Sequence, residues 1–123
     1  MFVRTPEFDE ALAATDHTMR WRLPAVVMQR FERPWLDGVA ETELARSGLD
    51  FKQLHGAAAR GVGLRQLTFF DDFRLHLIIP QGIEPPTIFY VHAYRKSRRD
   101  ETSEIERGAA AARRQLERLG WTL

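Results

Sequence analysis

The sequence predicts an α+β domain in which helices pack on one side of a small antiparallel sheet. Three strand-like segments follow one another over residues 64–70, over residues 73–79 and from residue 88, with short connections that favour a meander. Apolar residues at helical spacing precede and follow this group, so N-terminal helices and a C-terminal helix are expected to cover the sheet. The length of 123 residues fits one domain, residues 1–123.

The composition is that of an ordinary globular protein. The chain is 44% hydrophobic and 28% charged, and its formal net charge of +1 gives no general argument for a nucleic-acid partner. It contains no cysteine, which excludes disulfides and thiolate metal sites, and its four histidines lack zinc-binding spacing. We therefore expect neither a metal nor a cofactor.

No segment of the sequence favours a membrane. No apolar run approaches the roughly 20 residues that a membrane-spanning helix needs. The N-terminal segment MFVRTPEFDE also lacks the apolar core of a signal peptide and carries early carboxylates. The expected location is the cytoplasm.

The first helix has clear start signals. Residues 1–4 are interpreted as a short strand, after which Thr5 is a good N-cap and Pro6 suits the first helical position. Acidic residues in the next turn complement the positive end of a helix dipole. These signals predict a helix over residues 6–14.

Two further helices are predicted before the sheet. Apolar residues near helical spacing begin at Met19 and predict a second helix that ends before Pro34, with Pro24 restarting or kinking it. Residues 39–46 predict a short acidic helix that is closed by a glycine. Residues 50–63 contain many small residues and are interpreted as a loop with a turn of helix.

The strand-like segments alternate between apolar and polar side chains. This alternation predicts that the second and third segments load one face of the sheet with cationic, imidazole and phenol groups. The residues of this predicted face are Arg74, His76, Tyr90, His92, Tyr94 and Lys96. Asp71-Asp72, between the first two segments, is interpreted as a hairpin turn rather than as a catalytic pair of carboxylates.

The last helix has the strongest pattern. Ser103 and Glu106 have the spacing of a capping box, and a narrow apolar stripe follows at steps of three and four residues. The members of the stripe are Ile105, Ala109, Ala112, Leu116 and Leu119. Alanine in this stripe predicts close packing of the helix against its support.

The polar face of the sheet is the candidate functional site. Guanidinium groups bind two phosphate oxygens and stay charged, histidine transfers protons near neutral pH, and tyrosine can stack on a base. This set suits cleavage of a phosphodiester by the substrate's own 2′-hydroxyl, which needs no metal. The basic run over residues 95–99 could hold RNA backbone. The same residue types also fill the exposed face of ordinary strands, so the pattern alone leaves both interpretations open.

Four segments together resemble one protein family. FKQLHG at 51–56 is similar to a K-x-L-x-G approach to the sheet, GLRQLTF at 63–69 to an ELR strand, and DDFRLHLII at 71–79 to a GxYR strand. IFYVHAYRKSRRDETSEIERGAAAA at 88–112 is similar to a block in which an aromatic, basic strand end leads into a capped helix. The chain therefore resembles the RelE/ParE superfamily of bacterial type II toxins, and most closely its HigB-like branch.

The resemblance implies a small toxin that enters the ribosomal A site and cuts mRNA without a metal, and that a helix-turn-helix antitoxin neutralises. It also implies roles for particular residues. The catalytic residues would be Arg65, Arg74, His92 and Tyr94, and the RNA-binding residues would be Lys52, His76, Lys96, Arg98 and Arg99. Two alternatives stay open: a ParE-like protein that inhibits DNA gyrase without cutting RNA, and a degenerate member that only binds a partner protein.

Overall fold

The computed structural model describes residues 1–15, 17–97 and 100–121, and it has the predicted α+β architecture. The strands are β1 (Phe2–Arg4), β2 (Asp50–Gln53), β3 (Arg65–Phe69), β4 (Phe73–Ile78) and β5 (Ile88–Arg95). The helices are α1 (Pro6–Ala13), α2 (His17–Val27), α3 (Arg33–Leu36), α4 (Glu41–Arg46), α5 (Ala57–Val62) and α6 (Thr102–Arg118), with a π-helical turn (Met28–Glu32) between α2 and α3. Within these residues, no helix is long and apolar enough to cross a membrane.

The five strands form one mixed sheet in the order β1-β5-β4-β3-β2. The predicted meander is its centre, because β3, β4 and β5 pair antiparallel with one another in sequence order. The edge strand β1 pairs parallel with β5, so the prediction of a purely antiparallel sheet was wrong. Parallel pairing of β1 and β5 is possible because the long connection between them contains all the other strands and five helices, which gives the chain room to return in the same direction.

The loop predicted for residues 50–63 was also wrong in part, since β2 pairs antiparallel with β3 and α5 follows it.

Helices cover both faces of the sheet, whereas the sequence predicted helices on one side. On one face the N-terminal helices enclose a core that includes Phe8 and Phe31. On the other face α5 and α6 enclose a second core that includes Val91 and Ala112. β5 is buried over residues 88–94, and its nearly continuous apolar sequence is typical of a strand that is covered on both faces.

A β-bulge in β5 decides which of its side chains face which helices. Leu77 of β4 pairs with Tyr90, but the preceding residue His76 pairs with His92, so Val91 is an extra residue. Tyr90 consequently packs in the core under the N-terminal helices, whereas His92 contacts α6. The prediction that Tyr90 shares a face with His92 was wrong, because an alternation with a period of two does not continue through a bulge.

The second predicted helix is longer than expected. α2, the π-helical turn and α3 follow one another without a break, so the helical path continues past Pro34 instead of ending before it. Pro34 is the second residue of α3, directly after the π-helical turn, and the helical path continues through it. Pro24 lies inside α2, which remains helical on both sides of it.

α6 buries the predicted stripe but begins differently from the prediction. Its most deeply buried stripe residues are Ala109, Ala112 and Leu116. The predicted capping box of Ser103 and Glu106 was wrong, since the helix begins at Thr102 with no side-chain cap from its N-cap residue. The Thr102 N–H instead donates to Asp100 Oδ1 at 2.9 Å, which satisfies one of the free donors at the helix start.

The hydroxyl of Thr5 joins α1 to the sheet, and its removal is expected to destabilise the fold. Thr5 Oγ1 accepts from Phe8 N–H at 3.2 Å as the predicted N-cap of α1, and donates to the Tyr90 carbonyl at 2.8 Å. Thr5→Val keeps the side-chain shape but leaves a buried N–H and a buried carbonyl with fewer partners, so we expect a loss of about 2 kcal/mol in the free energy of unfolding. Urea unfolding measures this loss. Thr5→Ser retains the hydroxyl and should lose less than half as much, and equal losses in both variants would contradict the capping role.

Candidate functional site

Two rows of polar side chains cross four strands on the sheet face that α6 covers. One row consists of Lys52, Gln66, His76 and His92, and the other of Asp50, Thr68, Arg74 and Tyr94, each residue paired with the next. The rows are two residues apart along each strand and therefore share a face. The start of α6 brings two carboxylates onto the rows. We define the polar cluster as Gln66, Thr68, Arg74, His76, His92, Tyr94, Glu101 and Glu104.

His92 forms a close pair with a carboxylate of α6. Its Nε2 lies 2.7 Å from Glu104 Oε2, and both side chains are largely buried. Burial lowers the pKa of His92 more than the hydrogen bond to Glu104 raises it. A neutral imidazole that donates Nε2–H to this carboxylate keeps Nδ1 as its basic nitrogen. The pair therefore has the arrangement of a base that is oriented by an acid.

Glu101 connects three polar side chains at the end of the cluster. The Tyr94 hydroxyl donates to Glu101 Oε1 at 2.6 Å, and Arg74 Nε lies 3.5 Å from the same oxygen. Lys96 Nζ lies 3.6 Å from Glu101 Oε2. Burial, followed by the hydrogen bond to Glu101, raises the pKa of Tyr94, so its phenol stays protonated and acts as a donor.

His76 lies at the centre of the cluster and is completely enclosed. Its exposed fraction is 0%, and its ring is 5.5 Å from the ring of His92 and 5.3 Å from that of Tyr94, measured between centroids. Its Nε2 lies 3.2 Å from Gln66 Oε1. Burial, with a smaller contribution from His92, lowers the pKa of His76 to about 3, so the ring is neutral at physiological pH. A side chain without exposed surface cannot contact RNA in this conformation.

Three buried polar atoms of the cluster have no hydrogen-bond partner. They are Thr68 Oγ1, Arg74 Nε and His76 Nδ1. In the described parts of the chain, these are the buried side-chain nitrogen and oxygen atoms that form no hydrogen bond. All three lie on the same face, since Thr68 pairs directly with Arg74 and His76 is two residues further along β4. Buried polar atoms are almost always satisfied in folded proteins. Their grouping makes this face the least completely hydrogen-bonded part of the described interior.

A cleft of about 290 Å³ opens beside the cluster, between the end of β5 and the start of α6. Its wall carries the carboxylates that hold Tyr94 and His92, together with cationic and hydroxyl side chains. The lining residues are Tyr94, Arg95, Lys96, Ser97, Asp100, Glu101, Ser103 and Glu104. The cleft therefore gives solvent access to one end of an otherwise buried cluster.

The structure brings together most of the predicted site residues but separates Arg65 from them. Arg65 forms an ion pair with Glu41 of α4, and its guanidinium carbon lies 5.6 Å from the Phe51 ring centroid. Phe51 packs against the core under the N-terminal helices, so Arg65 lies on the face opposite the polar cluster. The predicted residues on the cluster face are Lys52, Arg74, His76, His92 and Tyr94, and Lys96 contacts Glu101 beside them. Arg98 and Arg99 lie outside the described residues.

Sequence reasoning missed four members of the cluster. Gln66 and Thr68 alternate with Leu67 in β3, so the period of two already indicated that they share a face. Nothing in the sequence indicated Glu101 and Glu104, because their approach depends on how α6 folds back over the sheet.

The function of the protein is inferred from the chemistry of the polar cluster. A comparison of the chain with descriptions of protein families, with curated proteins and with solved structures found no match. Across residues 1–15, 17–97 and 100–121, no group of three or more histidine, cysteine or acidic residues is placed to hold a metal ion.

Proposed function

We propose that the protein is a ribosome-dependent mRNA endonuclease, the toxin of a bacterial type II toxin–antitoxin system, and that the polar cluster is its active site. The observation that carries the proposal is the pairing of His92 with Glu104 beside Arg74 and Tyr94, on the face that holds three buried polar atoms without a hydrogen bond. Together these groups can move a proton, bind a phosphate and donate hydrogen bonds. The resemblance of four segments to RelE/ParE toxins supports mRNA as the proposed substrate and the ribosome as the place of cleavage.

In the proposed reaction the 2′-hydroxyl of the RNA attacks the adjacent phosphorus. His92 accepts the hydroxyl proton at Nδ1 as the new O–P bond forms, and Glu104 stabilises the resulting imidazolium. Arg74 and the Tyr94 hydroxyl bind the charged phosphorane oxygens. The bond between phosphorus and the 5′-oxygen then breaks, and His92 returns its proton to that oxygen. The products are a 2′,3′-cyclic phosphate and a 5′-hydroxyl, and no metal takes part.

Substrate binding requires that an RNA phosphate replace the Glu101 carboxylate beside Arg74 and Lys96. In the free protein, Arg74 and Lys96 both face this carboxylate. An RNA phosphate that enters the cleft replaces Glu101 as their partner, since guanidinium and ammonium groups bind phosphate well. Lys52 extends the basic surface along the same face, and Arg98 and Arg99 are proposed to hold the RNA backbone. The proposed protein partners are the ribosome and a helix-turn-helix antitoxin.

The proposal predicts that two arginines on neighbouring strands differ in importance. Expression of the wild-type chain in a bacterium should stop growth and cleave mRNA, whereas Arg74→Gln and His92→Gln should each reduce cleavage about a hundredfold. Arg65→Gln is the matched control, because Arg65 lies on the opposite face, and it should retain full activity. Growth curves and primer extension on a reporter mRNA measure the effect, and thermal unfolding checks that each variant is folded.

Several outcomes would contradict the endonuclease. Growth arrest with intact mRNA and a DNA-damage response would point instead to inhibition of gyrase. Unchanged growth and intact mRNA with the wild-type chain would point to a protein that only binds a partner. Equal loss of activity from folded Arg65→Gln and Arg74→Gln would remove the polar cluster as the site.

A further inference from the structure

A second pocket lies on the other face of the sheet, beneath α1 and α2. Its volume is about 520 Å³, within the usual range of sites for small molecules. The polar cluster is on the opposite face, so nothing in the proposed function uses this pocket. We infer that it binds a small organic monocation with an apolar body, such as an aryl- or alkylammonium compound.

The inner wall of the pocket is aromatic. The Tyr90 ring lies 5.5 Å from the ring of Phe8 and 6.4 Å from that of Phe2, measured between centroids, and all three line the pocket. Trp21 lines it from α2 and is 76% exposed, which is unusual for the largest apolar side chain. Aromatic rings provide both apolar contact and the negative faces to which organic cations bind.

The charge that points to a cation is Glu32, in the π-helical turn. Glu32 Oε2 accepts from the Tyr90 hydroxyl at 2.6 Å, and both residues line the pocket. In the described parts of the chain, no cationic side chain forms an ion pair with Glu32. π-Helical turns are frequent at functional sites because they shift side chains out of the regular helical positions. A carboxylate that lies beside apolar rings and accepts a hydrogen bond from a phenol is suited to an ammonium group.

Two arginines near the pocket limit the ligand to one positive charge. Arg4 lines the pocket, and its Nε donates to Asp9 Oδ1 at 2.8 Å. Arg20 lies with Arg4 and Asp9 around an adjoining cleft, and Trp21 borders both spaces. A second cationic group on the ligand would meet these guanidinium groups. The ligand is therefore expected to place its ammonium at Glu32 and its apolar body against the rings.

The probe for this site is 2-phenylethylammonium, and 2-phenylethanol is its neutral control of similar size. Calorimetry at neutral pH should show saturable binding of the ammonium compound to one site, at least about tenfold tighter than the alcohol. Glu32→Gln should weaken ammonium binding about tenfold and remove the preference over the alcohol. Its amide oxygen can still accept from Tyr90, so the fold is expected to persist. Glu43→Gln, an exposed carboxylate of α4 that does not line the pocket, is the control and should bind as the wild type does.

The inference would be overturned by the absence of saturable binding at millimolar concentrations or by equal affinity for the ammonium compound and the alcohol. Unchanged affinity in a folded Glu32→Gln variant would overturn it too. Binding of an amphipathic helical peptide that carries one lysine, without binding of the small cation, would also overturn it. That result would identify the exposed Trp21 and Met28 as part of a protein-docking surface. Each result can be read without any assay of RNA cleavage.

Discussion

Gly108→Ala is expected to lower the free energy of unfolding by about 3 kcal/mol, the upper end of the usual cost of overpacking a core. Gly108 lies in α6, and a Cβ at this position would overlap with His76 Nδ1 and lie 3.0 Å from two carbons of the same ring. The His76 ring cannot move away, because it is fully buried and packed between its neighbours in β3 and β5. At other helical positions, replacing glycine with alanine usually stabilises a protein by up to about 1 kcal/mol. At Gly108 we therefore expect the opposite sign of the change in the free energy of unfolding.

Chemical unfolding of paired variants tests this close contact. Gly61→Ala is the matched control in α5, where a Cβ would meet no atom within 4 Å, and it should be neutral or stabilising. In a His76→Ala background the ring is gone, so Gly108→Ala should cease to destabilise, which gives a coupling of about 3 kcal/mol between the two positions. An additive double variant, or a stable Gly108→Ala protein, would show that α6 does not rest on His76.

Acidification from pH 6.5 to pH 4 is expected to destabilise the fold by about 3 kcal/mol through His76 alone. Burial lowers the pKa of His76 in the folded state to about 3, whereas its ordinary value is 6.5. Between these values the unfolded chain binds a proton that the folded chain excludes, so stability rises with pH by about 1.4 kcal/mol per pH unit. The stabilisation is complete above pH 6.5 and is lost as the pH falls towards 3. The lowered pKa of His92 acts in the same direction.

The pH dependence of urea unfolding separates this effect from ordinary acid denaturation. His76→Gln places a neutral side chain that can donate to Gln66, so its stability should change much less between pH 6.5 and pH 4. His55→Gln is the control, since His55 is exposed and should leave the wild-type dependence unchanged. If His76→Gln loses stability with acid as steeply as the wild type, His76 is not the group that titrates.

The parts of the fold that were predicted correctly depend on local patterns. Thr5 and Pro6 mark the start of α1 because capping is decided within one turn. The centre of the sheet followed from alternation within β4 and the turn at Asp71-Asp72, and the alanine stripe of α6 followed from its helical spacing. Each of these signals extends over only a few residues, so it can be read without knowledge of the tertiary structure.

The parts that were not predicted depend on contacts between distant segments. The parallel pairing of β1 with β5 and the second core require knowledge of how the ends of the chain meet. For the candidate site, Arg74, His92 and Tyr94 were predicted from alternation, but the two carboxylates that contact them were not. Glu101 and Glu104 reach the sheet only because α6 packs close to it, which Gly108 permits.

The single extra residue at Val91 reverses the alternation of side chains along β5, so that residues separated by two positions across the bulge face opposite sides of the sheet. Before the bulge, Tyr90 belongs to the pocket with Glu32, and after it, Tyr94 belongs to the polar cluster with Glu101. An unbroken strand would put both tyrosines on one face and leave the other face with neither. The bulge therefore allows one strand to contribute a tyrosine to each of two chemically different surfaces.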